Sequence, residues 1–302
     1  MSSEFAYIEL LRAIATGPGA RGLNDDAAVL ALGTETLILT HDSIAEGVHV
    51  RVGTDPADIA WKLIATNLSD LAAKGARPLG VLTSHALGES DWDAAFARGL
   101  AVVLDRYGVP LLGGDTIRLP TGATRVFGCT AIGSATCAPV PARSGAQHGD
   151  GLWLAGAVGD AFAGFTLIEA GAAVPDRLAA AYLRPVPLLE EGRALAPLVS
   201  AMMDVSDGLV LDAARMAEAS GLTVDIDSAA IPISAAARAA VPDRLDEAIR
   251  WGDDYALLFA TADGLDPPVA ATRIGRFARS GGGAVRLDGQ ALSPTDSGGY
   301  RH

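Results

Sequence analysis

Aspartates placed beside apolar stretches are the residues of this sequence whose type and spacing could carry chemistry. They lie in five short segments: Asp25 and Asp26 in LNDDAAVL, Asp42 in LILTHDS, Asp70 in ATNLSDLAAKGA, Asp115 in LLGGDTIR, and Asp204 and Asp207 in MMDVSDGL. Taken singly, each has a structural explanation, such as a helix cap at Asp207 or a turn residue at Asp25. Taken together, carboxylates that converge in space could bind Mg²⁺, which prefers oxygen ligands.

Asp70 is the aspartate for which a structural role is hardest to accept. It shares a face of a predicted buried helix with Asn67, and a buried carboxylate without a partner is costly. The chain has only two lysines, Lys62 and Lys74, so lysine cannot neutralise all the acids, although arginines could neutralise some. Two or more divalent cations between the carboxylates and a polyphosphate would resolve the repulsion, which is an arrangement for phosphoryl transfer.

The sequence lacks the common motifs of other nucleotide-using and hydrolytic enzymes. It contains no GxxxxGK[ST], no HRD or DFG set, no HExxH and no GxSxG. If the chain uses ATP, metals and arginines must replace the lysine of a P-loop. Gly113 and Gly114 before Asp115 would let the backbone approach a phosphate closely, although a glycine pair alone is a weak signal.

Composition indicates a soluble globular protein. Of the 302 residues half are hydrophobic and a fifth are charged, and the net charge of −13 argues against a general nucleic-acid binder. No apolar run approaches the roughly 20 residues that cross a bilayer, and the N-terminus lacks the pattern of a signal peptide, so we expect a cytoplasmic protein without membrane contact. Cys129 and Cys137 form no CxxC pair, which argues against a disulfide framework or thiolate metal site.

The sequence around these aspartates alternates short apolar runs, which predict strands, with longer helix-like segments. This alternation is typical of an α/β chain. The predicted strands are Ala27–Leu32, Thr36–Thr40, Leu79–Ala86, Val109–Leu112, Thr124–Ile132, Gly151–Ala155, Ala201–Asp204, Leu222–Asp227, Tyr255–Ala260 and Arg273–Ile274. The segment from Ala135 to Gly151 is rich in proline, glycine and small residues. It predicts a boundary between two domains, 1–137 and 138–302.

Three predicted helices have readable ends. One begins at Asp55-Pro56, with a carboxylate cap and proline at the first position, and ends at Gly75. Another begins with Ser90 and Asp93, at the spacing of a capping box, and ends at Gly108. The third begins near Asp207 and ends at Gly221.

At the aspartate segments the chain resembles the thiamine-monophosphate kinases, whose superfamily includes aminoimidazole ribonucleotide synthetase and selenophosphate synthetase. The resemblance covers nearly the whole length in order: NDDAAVL (24–30), THDSIAEGVHV (40–50), KLIATNLSDLAAKGARP (62–78), LLGGDT (111–116), ARSGAQHGD (142–150), DVSDGL (204–209), WGDDYALLF (251–259) and GYRH (299–302). The long segment around Asp70 and the DVSDGL match are its most specific parts.

The resemblance implies an α/β fold of the α+β type, with the two-domain architecture of aminoimidazole ribonucleotide synthetase. It also implies a homodimer paired through the N-terminal domains, with ATP held at the domain cleft. The residues it assigns to Mg²⁺ are Asp26, Asp42, Asp70, Asp204 and Asp207, with Thr40 assisting and with His41 and Asp115 as further candidates. It assigns Gly114, Asp115, Arg143 and Ser206 to ATP, and His49, Asp253 and Tyr300 to the acceptor. Asp70, Asp207 and Arg143 are the residues expected to act in catalysis.

Four positions depart from the family pattern. Asn24 replaces glycine before the paired acids, and Asn tolerates positive φ. His41 replaces a threonine or serine beside Asp42, and it could either point outward or contact metal. Asp253 replaces a glutamate and Trp251 a glycine in a GGEDYEL-like motif, so acceptor recognition is where the chain differs most.

The implied reaction is direct transfer of phosphate from ATP to thiamine monophosphate, with several Mg²⁺ ions. The acceptor is a phosphate monoester with a second pKa of roughly 6, so it needs no general base. Two alternatives stay open: another superfamily activity like that of aminoimidazole ribonucleotide synthetase, or a non-catalytic binder of nucleotide or thiamine phosphate. The sequence lacks the N-terminal cysteine of selenophosphate synthetases and the C-terminal cysteine of hydrogenase-maturation relatives.

Overall fold

Strands with one apolar face form a five-stranded sheet in the first half of the chain. The computed structural model describes residues 4–120, 122–279, 284–292 and 298–299. The strands of this sheet are β1 (Ala28–Leu32), β2 (Glu35–Ala45), β3 (Ala76–Leu87), β4 (Leu111–Arg118) and β5 (Val126–Ala135). Their order is β1-β2-β5-β3-β4, and all neighbours are antiparallel except β3 and β4.

A second, seven-stranded sheet lies in the other half. Its strands are β6 (Gly151–Ala155), β7 (Ala201–Asp204), β8 (Leu222–Ile226), β9 (Leu257–Thr261), β10 (Thr272–Arg279), β11 (Val285–Leu287) and β12 (Gln290–Ala291), in the order β12-β11-β8-β10-β6-β9-β7. The helices of the chain are α1 (Glu4–Arg12), α2 (Pro56–Ala73), α3 (Ser90–Tyr107), α4 (Asp160–Glu169), α5 (Asp176–Leu183), α6 (Leu189–Leu195), α7 (Leu209–Ala219), α8 (Ala235–Ala240) and α9 (Leu245–Trp251).

Helix α2 is the element that connects the two halves. Asp55 caps its N-terminus by accepting a hydrogen bond from the Ala57 N–H at 2.8 Å, and Gly75 follows its C-terminus with φ 58°. Nearly every residue from Ile59 to Ala73 is buried, because α2 packs against β2 and β5 on one side and against α6 and β7 of the second half on the other. A helix buried on all sides can place polar residues only where they find partners.

One face of the five-stranded sheet carries α2 and α3, and the opposite face is here called the outer face. Phe127 and Ile38 point to the helical side and are fully buried. Strand register places the large exposed apolar residues together on the outer face: Leu30, Leu32, Leu82, Ile117 and Val126. The sheet therefore leaves an apolar surface open in a single chain.

The predicted strands β6 and β7 agree with the structure at both ends, and other predictions were wrong in detail. Strand β2 continues to Ala45, so Asp42 lies within a strand and not after one. Strand β4 begins later than predicted and contains Asp115. The capping box of α3 was also wrong, because Glu89 is the N-cap and Asp93 accepts from the Gly88 N–H at 2.8 Å.

The link between the sheets is the segment 136–150, where the domain boundary was predicted. The core of the first half extends across this link, since Met202 and Phe259 of the second sheet belong to the same apolar cluster as Leu63 and Leu71 of α2. The boundary at residues 137 and 138 stays a prediction. Among the described residues, no helix is long and apolar enough to cross a membrane.

Candidate active site

A cleft of about 440 Å³ lies between α2 and β2 on one side and the second half of the chain on the other. Its acidic end is lined by Asp42, Asp70, Asp204 and Asp207. Its aromatic end is lined by Phe165, Tyr182, Trp251 and Tyr255, and His49, Ser206 and Asp253 complete the predicted residues in its wall. The structure therefore brings together aspartates from three of the five aspartate segments.

Helix α2 and strand β2 fix the centre of the acidic end. Thr40 donates a hydrogen bond from its hydroxyl to Asp70 Oδ2. Asn67, one turn before Asp70, accepts a hydrogen bond from the Asp42 N–H at 3.0 Å and donates its amide to the Leu63 carbonyl at 2.9 Å. Ser69 Oγ donates to Asp204 Oδ2 at 2.6 Å across the interface between the two halves. Neutral partners thus orient the carboxylates of Asp70 and Asp204 and hold the backbone at Asp42.

Positive charge does not compensate these three acids. In the part of the chain that the structure describes, the ion pairs involve none of Asp42, Asp70 and Asp204. Burial, followed by repulsion from neighbouring aspartates, raises the pKa of Asp70 and Asp204 well above the usual range. Burial also raises the pKa of Asp42, and nearby Asp207 adds to the rise. His41 opposes the rise at Asp42, but no described lysine or arginine pairs with any of the three acids to stabilise its charged form.

Asp25 and Asp26 form a second acidic group that is neutralised. Lys74, fully buried at the end of α2, lies 2.5 Å from Asp25 Oδ1 and 2.7 Å from Asp26 Oδ2. Arg143 Nη2 donates to Asp26 Oδ1 at 2.6 Å, and Arg21 pairs with Asp25. Burial alone would raise the pKa of Asp26, but Lys74 and Arg143 lower it to about 2. Arg143 keeps one buried N–H, at Nε, without a hydrogen-bond partner.

The turn between β7 and α7 is held by a residue that the sequence did not single out. Buried Asp212 accepts from the Ser206 N–H at 3.2 Å and from the Asp207 N–H at 3.0 Å. Arg215 donates to Asp212 Oδ1 at 2.9 Å and to Asp207 Oδ2 at 2.5 Å. Burial raises the pKa of Asp212 to about 7, against the lowering effect of Arg215. Asp207 therefore has a cation partner, unlike Asp204.

A buried lysine organises the aromatic end. Lys62 Nζ lies 2.6 Å from Asp253 Oδ2, 3.2 Å from the His49 carbonyl oxygen and 4.4 Å from the centre of the Tyr182 ring. Tyr255 donates its hydroxyl to Asp253 Oδ1 at 2.8 Å, so both oxygens of this carboxylate are engaged. Asp253 has φ 61°, a left-handed conformation that these contacts must hold.

Three predicted residues lie away from this cleft, and a fourth is not described. His41 points to the outer face of the sheet, where its Nδ1 lies 2.8 Å from Thr130 Oγ1. The prediction that His41 and Asp42 of one chain bind the same metal ion is therefore wrong. Asp115 is exposed on β4, three strands from β2 or roughly 14 Å, so it too cannot join the acidic end. Gly114 allows β4 to pack closely beside β3, because the Cβ atom of any other residue there would lie 1.9 Å from the Thr83 carbonyl oxygen. Tyr300 lies outside the described residues.

Some site residues had signals that sequence reasoning missed. Lys62, Thr66 and Asp70 are spaced four apart on a helix, so they share one helix face, on which Thr66 and Asp70 line the cleft. Asp212 follows Asp207 by five residues inside the same segment, as a local cap would. Phe165 and Tyr182 lie on α4 and α5, where nothing in their spacing distinguishes cleft residues from core.

The donor set of the acidic end fits Mg²⁺. The acidic end of the cleft presents carboxylate oxygens, with hydroxyl oxygens in the same lining. Oxygen ligands of this kind are the ones that a hard cation such as Mg²⁺ prefers. Within the described ranges, no three His, Cys, Asp or Glu side chains are arranged as a ready-made metal site.

Comparisons with known proteins agree on one family. Residues 24–135 match the N-terminal domain, and residues 147–266 the C-terminal domain, of AIR synthase related proteins. The thiamine-monophosphate kinase of Salmonella typhimurium is 37% identical over 80% of this chain and 76% of its own length. That of Caulobacter vibrioides is 34% identical over 97% and 89%.

The fold comparison gives the same answer. The solved structure of AaThiL complexed with AMPPCP and TMP covers 99% of this chain and 97% of its own, with a TM-score of 0.89 and 27% sequence identity. These two relatives carry the same name and match most of the chain, and both halves of the chain match the family in the same order. The chain therefore belongs to the thiamine-monophosphate kinase family of AIR synthase related proteins.

Proposed function

We propose that this chain is a thiamine-monophosphate kinase that transfers the γ-phosphate of ATP to thiamine monophosphate, giving thiamine diphosphate and ADP. The observation that carries the proposal is the cleft, in which uncompensated carboxylates at one end continue into an aromatic surface at the other. Relatives named for this activity, and a similar structure complexed with AMPPCP and TMP, support the choice of both substrates.

Asp42, Asp70 and Asp204 are the residues we propose to hold Mg²⁺, with Asp26 and Asp207 as further ligands and Thr40 orienting Asp70. Bound Mg²⁺ would neutralise charge on the transferring phosphoryl group. Asp26 and Asp207 are paired with Arg143 and Arg215 in the structure. Ligation of these two acids would release both guanidinium groups toward the polyphosphate.

Arg143 and Ser206 are the proposed ATP contacts within this chain. The buried Nε–H of Arg143 lacks an acceptor, and a phosphate oxygen would supply one. Ser206 lies in the cleft wall next to Asp207, on a turn that Asp212 fixes. Catalysis would then consist of in-line positioning and charge neutralisation, since a dianionic phosphate acceptor requires no base.

His49 and Asp253 are the proposed acceptor contacts, and Tyr300 is a further one from the sequence pattern. Both described residues line the cleft between its acidic and aromatic ends. Asp253 is already bonded to Lys62 and Tyr255, so its role toward the acceptor would be to place the Asp253–Tyr255 segment.

A homodimer paired through the outer face of the five-stranded sheet is the proposed assembly. This face exposes apolar residues on four strands, which monomers rarely leave open. Gly114, Asp115 and His41 lie on or beside it, so their predicted roles toward ATP and metal depend on the second copy. The cytoplasm is the proposed compartment, in keeping with two free cysteines.

The experiment that tests the activity is incubation of the purified protein with ATP, Mg²⁺ and thiamine monophosphate, followed by chromatography of the thiamine species. We expect thiamine diphosphate and ADP in equal amounts, no product with EDTA, and no product when thiamine replaces its monophosphate. Binding of both substrates without product would instead identify a non-catalytic binder.

A further inference from the structure

Trp251 forms part of the wall at the aromatic end of the cleft, and the structure fixes its position from several sides. Its ring stacks on Phe165, with centroids 5.1 Å apart and an interplanar angle of 25°. The ring centroid of Phe162, which does not line the cleft, lies 5.9 Å from that of Trp251. The ring centroid of Tyr182, which does line the cleft, lies 6.1 Å away. The indole is therefore a rigid part of the cleft surface.

The segment after Trp251 connects this ring to the acidic end. Gly252 has φ 101°, and a side chain there would lie 2.4 Å from the Ser206 carbonyl oxygen and 3.1 Å from Asp207 Cα. The backbone beside Trp251 thus packs directly on the turn that carries Asp207. A ligand whose phosphate lies at the acidic end would carry its ring toward Trp251.

The other aromatic residues of the cleft already have polar partners. Lys62 lies over the Tyr182 ring at 4.4 Å, and Tyr255 is buried with its hydroxyl bonded to Asp253. A second cation over Tyr182 would meet the charge of Lys62. Trp251 and Phe165 therefore offer the ring surface that a positively charged heteroaromatic group can approach, and indole is the side chain that attracts cations most strongly.

We propose that Trp251, supported by Phe165, is a specificity-determining residue on which the cationic ring of the acceptor lies. The inference deepens the proposed function and rests on it for the identity of the acceptor. The motif that this segment resembles carries glycine at position 251, so this chain adds an aromatic surface there. Its affinity for the acceptor then depends on a side chain that the motif does not supply.

The test is equilibrium binding of thiamine monophosphate, by calorimetry with Mg²⁺ present, to the full-length protein and its variants. We expect Trp251→Gly to weaken binding by about tenfold and Trp251→Phe by about threefold, because a phenyl ring keeps part of the cation–π attraction. Phe165→Leu should also weaken binding, and it serves in place of Trp251→Gly if that variant fails to fold. The KM for ATP should stay within about twofold in each variant.

Phe162→Leu is the matched control, because Phe162 packs on Trp251 without lining the cleft. The proposal is supported if Phe162→Leu binds thiamine monophosphate within about twofold of the wild-type affinity while Trp251→Gly binds it more weakly. An unchanged affinity in Trp251→Gly, or an equal loss in Phe162→Leu, overturns it. Wild-type protein that binds thiamine monophosphate but makes no thiamine diphosphate contradicts the kinase assignment alone, since the affinities still decide the role of Trp251.

Discussion

At the residue scale, Asp70 is the acid with the least compensation. It is buried, accepts a hydrogen bond from Thr40, and faces Asp42 and Asp204 without a cation. Burial of a charged carboxylate next to two others weakens the folded state unless protons or metal neutralise it. The clustered acids therefore lower the stability of the folded state, which is common where function requires such a cluster.

Asp70→Asn should reduce turnover by at least about a hundredfold, because it removes a proposed metal ligand at the centre of the cleft. The metal-free variant should unfold at the same temperature or higher, because a neutral amide removes repulsion from the neighbouring acids. Initial rates and thermal melts monitored by circular dichroism measure the two effects. Asp91→Asn, at an exposed position of α3, is the matched control, and unchanged turnover in Asp70→Asn would remove Asp70 from the site.

Lys62 and Asp253 should show strong energetic coupling. Lys62→Met leaves a partly buried carboxylate without its cation, and breaking such a pair costs about 3 kcal/mol. Adding Asp253→Asn should recover part of this loss. Urea denaturation of the wild type, both single variants and the double variant gives the coupling free energy. Additive effects would mean that the pair does not hold the 253–255 segment.

At the element scale, α2 explains why the site lies where it does. It is buried between the two halves, and Thr66 and Asp70 on its polar face line the cleft. The outer face of the sheet has the opposite character, since its apolar residues are uncovered in one chain. In the proposed dimer, the chemistry lies on one side of the sheet and the contact between the two copies on the other.

Ile117→Glu should convert the proposed homodimer into monomers. Ile117 is 54% exposed on the outer face, and a charge buried there at an interface would be costly. Sedimentation velocity measures the change. Val52→Glu is the control, because Val52 is 78% exposed in the loop between β2 and α2 and lies outside the sheet. A wild-type protein that sediments as a monomer would contradict the assembly.

The sequence predicted much of this arrangement, and its errors have physical causes. The ends of α2 could be recognised because its capping is local, and β6 and β7 because they are short and wholly apolar. The sequence predicted that Asp42 follows a strand, but Asp42 lies within β2 on the face that points to the helices. A carboxylate there breaks the usual alternation of apolar residues on the buried face with polar residues on the exposed face. The position of Asp115 on an edge strand depends on the order of strands, which local patterns do not contain.

Ion pairing was the least predictable part of the site. The scarcity of lysine correctly indicated that most acids need another cation, but both lysines proved to be buried, each beside aspartate. Their partners lie 191 and 49 residues away along the chain. Contacts over such separations result from the packing of the two halves, so the spacing of residues in the sequence does not predict them.

At the scale of the whole molecule, pH and metal should act on stability in opposite directions. An acid whose pKa is raised in the folded state binds its proton more tightly there, so stability falls as pH rises toward the raised value. For Asp212 this window runs from 3.8 to about 7, and Asp42, Asp70 and Asp204 shift in the same direction. Metal-free protein should therefore melt at a lower temperature at about pH 8 than at about pH 5.5.

Mg²⁺ should raise the melting temperature more at the higher pH, because its carboxylate ligands must lose their protons to bind it. Differential scanning calorimetry in EDTA and in Mg²⁺, with NaCl matched for ionic strength, measures both effects. An equal rise at both pH values would argue that the buried acids of the cleft do not bind the metal.

The most direct test of the central claim follows the γ-phosphate itself. Wild-type protein would be given Mg²⁺, thiamine monophosphate and ATP whose three non-bridging γ-phosphate oxygens carry ¹⁸O, and the masses of the products would be measured by mass spectrometry. Direct transfer predicts that the label appears in the terminal phosphate of thiamine diphosphate, with unlabelled ADP. Labelled inorganic phosphate, together with unchanged thiamine monophosphate, would contradict the assignment.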